Sequence, residues 1–128
     1  MDFALTENQE TIRDAIAQLC RDFDDAYWLK KAKEGGFPNE LHKAMADGGW
    51  LGICIPEAYG GAGLGITEAA IIMRTIAESG AGMSGASAIH MNIFGLNPVV
   101  VFGTEEQCKR MLPPMVEGKS KSCFAVTA

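Results

Sequence analysis

The chain has no CxxC pair: Cys20, Cys54, Cys108 and Cys123 stand far apart in 128 residues. That spacing excludes the usual zinc motifs, and no metal site is expected. It points instead to reduced thiols in a cytoplasmic compartment, most of them acting as small buried hydrophobes. Basic runs are missing too. The longest is Lys30-Lys31 and the formal net charge is −5, so a nucleic-acid partner is not expected. No stretch approaches the ~20 apolar residues that cross a bilayer, which argues against a membrane span. Met1-Asp2-Phe3 lacks a basic leader, so the start does not read as a signal peptide. Internal repeats and low-complexity tracts are also absent.

What is present is apolar and helical in period. Apolar residues make up 48% of the chain and charged residues 21%, enough for a core and too little charge for wholesale disorder. Thr6 and Gln9 have capping-box spacing, followed by Ile12, Ile16, Leu19 and Phe23, which predicts a helix from about Glu7 to Asp24. Tyr27 to Lys33 reads less clearly, as a continuation of helix that Gly35-Gly36 stop. Pro38 and Gly48-Gly49 bracket a short helix over Asn39–Asp47, with Leu41, Ala44 and Met45 as its buried stripe. Trp50 to Pro56 is apolar, ends in proline, and reads as a buried extended connector. A helix from Thr67 to Ser79 is apolar on nearly every side and belongs inside a bundle. A loose turn over Gly80–Gly85 leads to a helix from about Ser84 to Phe94, and Asn97-Pro98 opens a short one ending at Gly103. The fold class is all-α: a bundle of five or six helices with a short C-terminal strand.

Three clusters invite a chemical reading. The loop Pro56-Glu-Ala-Tyr-Gly-Gly-Ala-Gly-Leu-Gly65 fails the dinucleotide fingerprint, because position 66 is isoleucine and no βαβ unit flanks it. A tight turn with left-handed glycines is the better reading. Gly82-Met-Ser-Gly-Ala86 misses the nucleophile elbow by its last glycine and lacks a leading strand. With only His42 and His90 as candidate bases, serine hydrolysis is a poor fit. Ser87, His90, Met91 and Phe94 fall at i, i+3, i+4 and i+7, so they share a helix face. That face is either a core stripe or the wall of a pocket.

The last stretch, Phe102-Gly-Thr-Glu-Glu-Gln to Cys123-Phe-Ala-Val-Thr127, carries the most information. Gly103 suits a left-handed helix end, and Thr104 with Gln107 caps the next helix. Pro113-Pro114 is expected to break that helix, with a turn at Gly118-Lys119. Cys123 to Val126 then reads as a strand with nothing to pair with, which points to a further domain after Ala128. This order resembles the acyl-CoA dehydrogenase family, where a Phe/Tyr-Gly-Thr/Ser-Glu-Glu-Gln helix leads to Cys-Phe-Ala-x-Thr-Glu-Pro. Residue 128 departs from that pattern, being alanine where the family has glutamate. The glycine loop is similar to the family's Val/Ile-Pro-Glu-x-Tyr-Gly-Gly-x-Gly.

The resemblance implies a helical N-terminal domain over residues 1–120, with residues 121–128 opening a β-barrel middle domain. A helical C-terminal domain would follow and supply the catalytic carboxylate, so no catalytic residue is expected here. It implies FAD as cofactor, contacted by Phe124, Ala125, Val126 and Thr127. It implies α,β-desaturation of a fatty acyl-CoA in β-oxidation, where a base takes the α-proton and the β-hydride passes to the flavin. Ser87, His90, Met91 and Phe94 then line the acyl pocket, with Gly85, Ala86 and Ser87 at its closed end. No arginine for an acidic acyl group stands there, so a neutral aliphatic chain of medium or long length is expected. Electron-transfer flavoprotein is the implied acceptor, and a homotetramer or homodimer the implied assembly. The architecture also serves acyl-CoA oxidases and flavin monooxygenases. From residues alone, a non-catalytic helical interaction module is a further alternative.

Overall fold

Two helix starts are tied together by one glutamine. In the computed structural model, which describes residues 3–123 and Ala125, the Thr6 hydroxyl accepts from the Gln9 amide at 3.2 Å. The Gln9 side-chain oxygen accepts from the Thr6 N–H at 3.1 Å. That capping box opens α1 (Glu7–Cys20). Gln9 Nε2 then donates to Glu68 Oε1 at 2.8 Å, while Glu68 Oε2 accepts from the Gly65 N–H at 3.0 Å and closes the first turn of α4 (Ile66–Ile76). The Gln9 hydrogen bond, then the backbone N–H groups, hold the Glu68 carboxyl below the usual carboxylate range.

The remaining helices are α2 (Asp25–Glu34), α3 (Asn39–Asp47), α5 (Gly82–Phe94), α6 (Asn97–Phe102) and α7 (Glu105–Val116). Short 3₁₀ turns cover Trp50–Gly52 and Glu57–Tyr59, and a π turn covers Ala77–Ala81. The all-α bundle expected from the periodicity is therefore present, with seven α-helices among the described residues. The extra helix arises at Asp24. Its side chain accepts from the Tyr27 N–H at 3.0 Å, making it the N-cap of α2 rather than the last residue of α1. The Tyr27 hydroxyl and Lys31 both bond Glu40, joining α2 to α3. Glu40's own backbone N–H, then Lys31 and Tyr27, hold its carboxyl down to about 2. Burial and Glu40 push Tyr27 up to about 12.

α4 lies at the centre. Ile72 and Ile76 are fully buried between α1, which contributes Ile12 and Ile16, and α5, which contributes Ile89 and Ile93. Leu41 and Met45 of α3 and Leu51 and Ile53 close the same core. Each such side chain stabilises the fold by roughly 1.5–3 kcal/mol relative to exposure. The run from Ile66 to Phe102 is long and apolar enough, by composition, to cross a membrane. It is not a straight helix: Gly80 at φ 99° and Gly82 at φ 53° fold it, and α5 packs back on α4. This turn is tighter than the loose one expected, and Ser84 sits inside α5 rather than on a strand-to-helix elbow. A smaller core of Ile55, Cys108, Leu112 and Met115 holds α6 and α7 with Tyr59, Val99 and Val100.

Four local expectations are corrected. The Trp50–Pro56 segment is buried but not extended, because a lone extended stretch would bury unpaired backbone groups. Its turns pair them locally, as in Gly52 N–H to Gly49 O at 3.2 Å and Ile55 N–H to Gly52 O at 3.0 Å. Pro113 and Pro114 do not break α7, which runs on to Val116. They fall in its last turns, where burial of Leu112 and Met115 outweighs two lost intrahelical donors. The Pro114 carbonyl accepts instead from Lys119 and Ser120 at 2.9 and 3.1 Å. Gly103 is extended, at φ −69° and ψ 151°, not left-handed. Glycine is needed there because a β-carbon would lie 2.4 Å from the Val99 carbonyl oxygen. Finally, Lys121, Ser122 and Cys123 form no strand. The rest of the expected strand falls on Phe124, Val126, Thr127 and Ala128, outside the described residues, and on Ala125, which has no regular structure.

The glycine loop is the tight turn expected of it. Gly60 and Gly63 have φ of 86° and 65°. Ala62, Gly63 and Leu64 N–H groups bond the Gly52, Ile55 and Ile53 carbonyls at 2.9 Å each. At Gly61 a β-carbon would lie 1.9 Å from the Ile55 oxygen. Gly60→Ala meets open space and is expected to cost about 1–2 kcal/mol from its backbone conformation alone. Gly61→Ala must displace backbone and is expected to cost more, at least about 3 kcal/mol, when the two are compared by urea denaturation.

Candidate functional site

Ile66, Ala70 and Met73 recur at i, i+4 and i+7 on α4. His90, Phe94 and Asn97 do the same along α5 and into α6, so each set forms one stripe. The stripes face each other across a groove of about 840 Å³, with Cys54 and Leu64 from the glycine loop and its approach completing the lining. Small Ala69 and Ala70 leave the space, and Ile93 adds to the apolar wall. The His90 and Phe94 rings lie against each other, centroids 4.2 Å apart and inclined by 33°. Ile66 is 77% exposed, so the α4 side opens to solvent.

Of the four residues expected to share a pocket face, His90 and Phe94 are brought together in this groove. Ser87 and Met91 are not among its lining residues. Met91 lies about 100° round the helix from His90, where its carbonyl accepts from the Ser122 hydroxyl. Ser87 is exposed and lies nearer the π turn than the groove reaches. Gly85 and Ala86, expected at the closed end, are buried among other groups. A β-carbon at Gly85 would lie 3.1 Å from Trp28. Cys54, Ile66 and Met73 were not anticipated. The signal for Ile66 and Met73 was the all-round apolar character of α4, which leaves one stripe more than the core takes up. Of the expected flavin-contacting residues, Phe124, Val126 and Thr127 lie outside the described residues. Ala125 is exposed, as is Cys123 before it.

An acyl-CoA dehydrogenase N-terminal domain profile matches residues 6–119. The chain belongs to the acyl-CoA dehydrogenase family and represents its N-terminal domain. It is 32% identical over 128 residues to acyl-CoA dehydrogenase FadE12 of Mycobacterium tuberculosis, covering 98% of this chain and 32% of that protein. It is 35% identical over 120 residues to the caffeyl-CoA reductase-Etf complex subunit CarC of Acetobacterium woodii, covering 88% of this chain and 31% of the relative. A chain in the solved structure "Electron transferring flavoprotein of Acidaminococcus fermentans: Towards a mechanism of flavin-based electron bifurcation" superposes with a TM-score of 0.80. It shares 32% identity, over 92% of this chain and 31% of that one. The present chain thus spans about a third of the length of the curated relatives it matches.

The thiols differ in environment. Cys20 and Cys108 are buried, Cys54 is half-buried at the groove and Cys123 is exposed. Cys54 donates to the Gly65 carbonyl at 3.4 Å, and burial, then the neighbouring Glu68 carboxylate, pushes its thiol up. Burial likewise raises Cys20. Alkylation of the native chain near neutral pH is expected to label Cys123 first and Cys54 at least about tenfold more slowly. Cys20 and Cys108 should react only on unfolding, with the order read by peptide mass spectrometry.

Proposed function

We propose that this chain is the acyl-pocket-shaping portion of an FAD-dependent acyl-CoA dehydrogenase that introduces an α,β double bond into a fatty acyl-CoA. The observation that carries this reading is the apolar groove between α4 and α5. It is walled by His90 and Phe94, two residues of the face that the family resemblance assigns to the acyl tail. A groove lined by Ile66, Met73, Ile93 and Phe94 binds alkyl chain by removing apolar surface from water, and its lining carries no Lys, Arg, Asp or Glu. A neutral aliphatic tail of medium or long length is the fitting substrate. Ser87 and Met91 remain candidate contacts of the tail in the intact protein, on the same helix.

No redox step is assigned to the described residues. In the intact enzyme FAD would accept the hydride, with Phe124, Ala125, Val126 and Thr127 as the proposed contacts. The general base would come from outside residues 1–128. This chain's part is to hold the tail, exclude water and orient the thioester for removal of its α-proton. Residues 1–120 would form the helical domain and 121–128 the first strand of a barrel. A relative named for an Etf complex and a similar chain in a structure titled for an electron transferring flavoprotein support electron-transfer flavoprotein as the acceptor. A cytoplasmic homotetramer or homodimer completes the reading.

A planar aryl-acyl tail is a second reading, favoured by the contacting His90 and Phe94 rings in the groove wall and by similarity to a caffeyl-CoA reductase subunit. Turnover by the whole protein with straight-chain, branched, acidic and aryl acyl-CoA thioesters separates the two. Medium or long straight chains are expected to be best, and Phe94→Ala should lower kcat/KM for them by about 10–100-fold. Best turnover of short branched or acidic thioesters would overturn the aliphatic reading. Oxygen consumption without an added acceptor would indicate an oxidase instead.

A further inference from the structure

His42 is out of place among the side chains around it. It sits on α3 with 4% of its surface exposed, and its Nε2 is buried without a hydrogen-bond partner. Its ring meets Phe37 edge to face, centroids 5.6 Å apart. The segment that follows α7 runs along its other side. A β-carbon at Gly118 would lie 3.5 Å from His42 Cε1 and 2.5 Å from the Ala46 β-carbon, so only glycine lets the segment come this close. Lys121 then reaches back over the same Phe37 ring, its Nζ 4.7 Å from the centroid, and donates to Asn39 Oδ1 at 3.2 Å. Ser122 anchors the far end, its N–H donating to Asn92 Oδ1 at 3.2 Å and its hydroxyl to the Met91 carbonyl.

The charges around His42 leave a new cation without a counter-ion. Lys121 is the charged group of the C-terminal segment that acts on it. On its own helix, Glu40 is engaged by Lys31 and Tyr27, and Lys43 by Asp47. Beyond α7, Lys119 pairs with Glu117. α5 brings no ionisable residue except His90, and the turn Trp50–Gly52 brings none. A neutral imidazole can keep its single proton on Nδ1 and leave Nε2 as a bare lone pair. The imidazolium must carry a proton on both nitrogens, one of them buried with no acceptor.

We propose that His42 is an acid-sensitive latch for the segment Gly118–Ser122. Neutral, it is a packing ring between Phe37 and Gly118. Protonated by solvent, it sets a second cation beside Lys121 on one aromatic ring and buries an unpaired N–H, and the segment releases from α3. Burial, then Lys121, lowers the affinity of His42 for its proton below the ordinary value of 6.5. The unfolded or released state therefore binds the proton first. The latch contributes fully above about pH 6.5 and is lost as pH falls from there toward the lowered folded value. The proposal does not rest on the acyl-groove reading.

Amide hydrogen exchange on the 128-residue chain, corrected for intrinsic rates and followed by NMR between about pH 7.5 and pH 5, tests it. Protection of the Lys119, Ser120 and Ser122 amides is expected to fall by about tenfold across that range. Ile16 and Ile72 in the main core should keep theirs. His42→Phe should abolish the pH dependence, and Lys121→Gln should move its midpoint upward. An undiminished acid loss in His42→Phe would overturn the latch. So would a His42 imidazole that titrates in the unmutated chain while the three amides stay protected. That last measurement decides the matter even where the variant does not fold.

Discussion

The fold depends on keeping water from α4. A helix with apolar side chains on nearly all its faces has no stable position at a surface, so every neighbour is arranged as a cover. α1 lies along one side and presents Ile12 and Ile16. α5 returns along another because two glycines permit the turn. The Gln9–Glu68 hydrogen bond fixes the axial position of α1 against α4, so the isoleucines meet at one level rather than sliding past. Where α4 and α5 face each other beside the glycine loop without closing on each other, a groove remains. A groove-lining surface and a core surface are here two stripes of the same helix, distinguished by what lies opposite.

Much of this was legible in the residues, for identifiable reasons. Thr6–Gln9 and Thr104–Gln107 are local devices whose geometry is set within four residues, and both capping boxes form. Gly49, Gly60, Gly63 and Gly118 have the positive φ their turns require. The central place of α4 followed from its composition. What was not legible depends on distant partners. Proline chemistry favours ending α7 at Pro113, but Leu112 and Met115 are held by Ile55, more than fifty positions earlier. Gly103 was taken for a conformational glycine and is a steric one, a distinction that only the position of the Val99 carbonyl decides.

The groove was half legible for the same reason. Helical spacing put Ser87, His90, Met91 and Phe94 on one face, but a face is wider than the part of it that a neighbour frames. His90 and Phe94 line the groove because α4 and the glycine loop lie opposite them. Cys54 reaches it through turns that read as an extended connector in sequence. His42 was even less visible. Between Leu41 and Lys43 nothing marks it as buried, and its environment comes from Phe37 and from a segment almost eighty residues later.

The division of the interior into two clusters has a consequence for how the molecule opens. α6 and α7 rest on Ile55, Cys108, Leu112 and Met115, a far smaller set than the isoleucine-rich core beneath α1, α4 and α5. Free energy of opening scales with apolar surface released, so the α6–α7 layer is expected to open at lower cost than the rest. Because α7 leads directly into Gly118–Ser122, which is seated on α3 and α5, that segment ties the smaller unit to the larger one. Opening of the smaller unit therefore pulls first on the contacts that Gly118–Ser122 makes with α3 and α5.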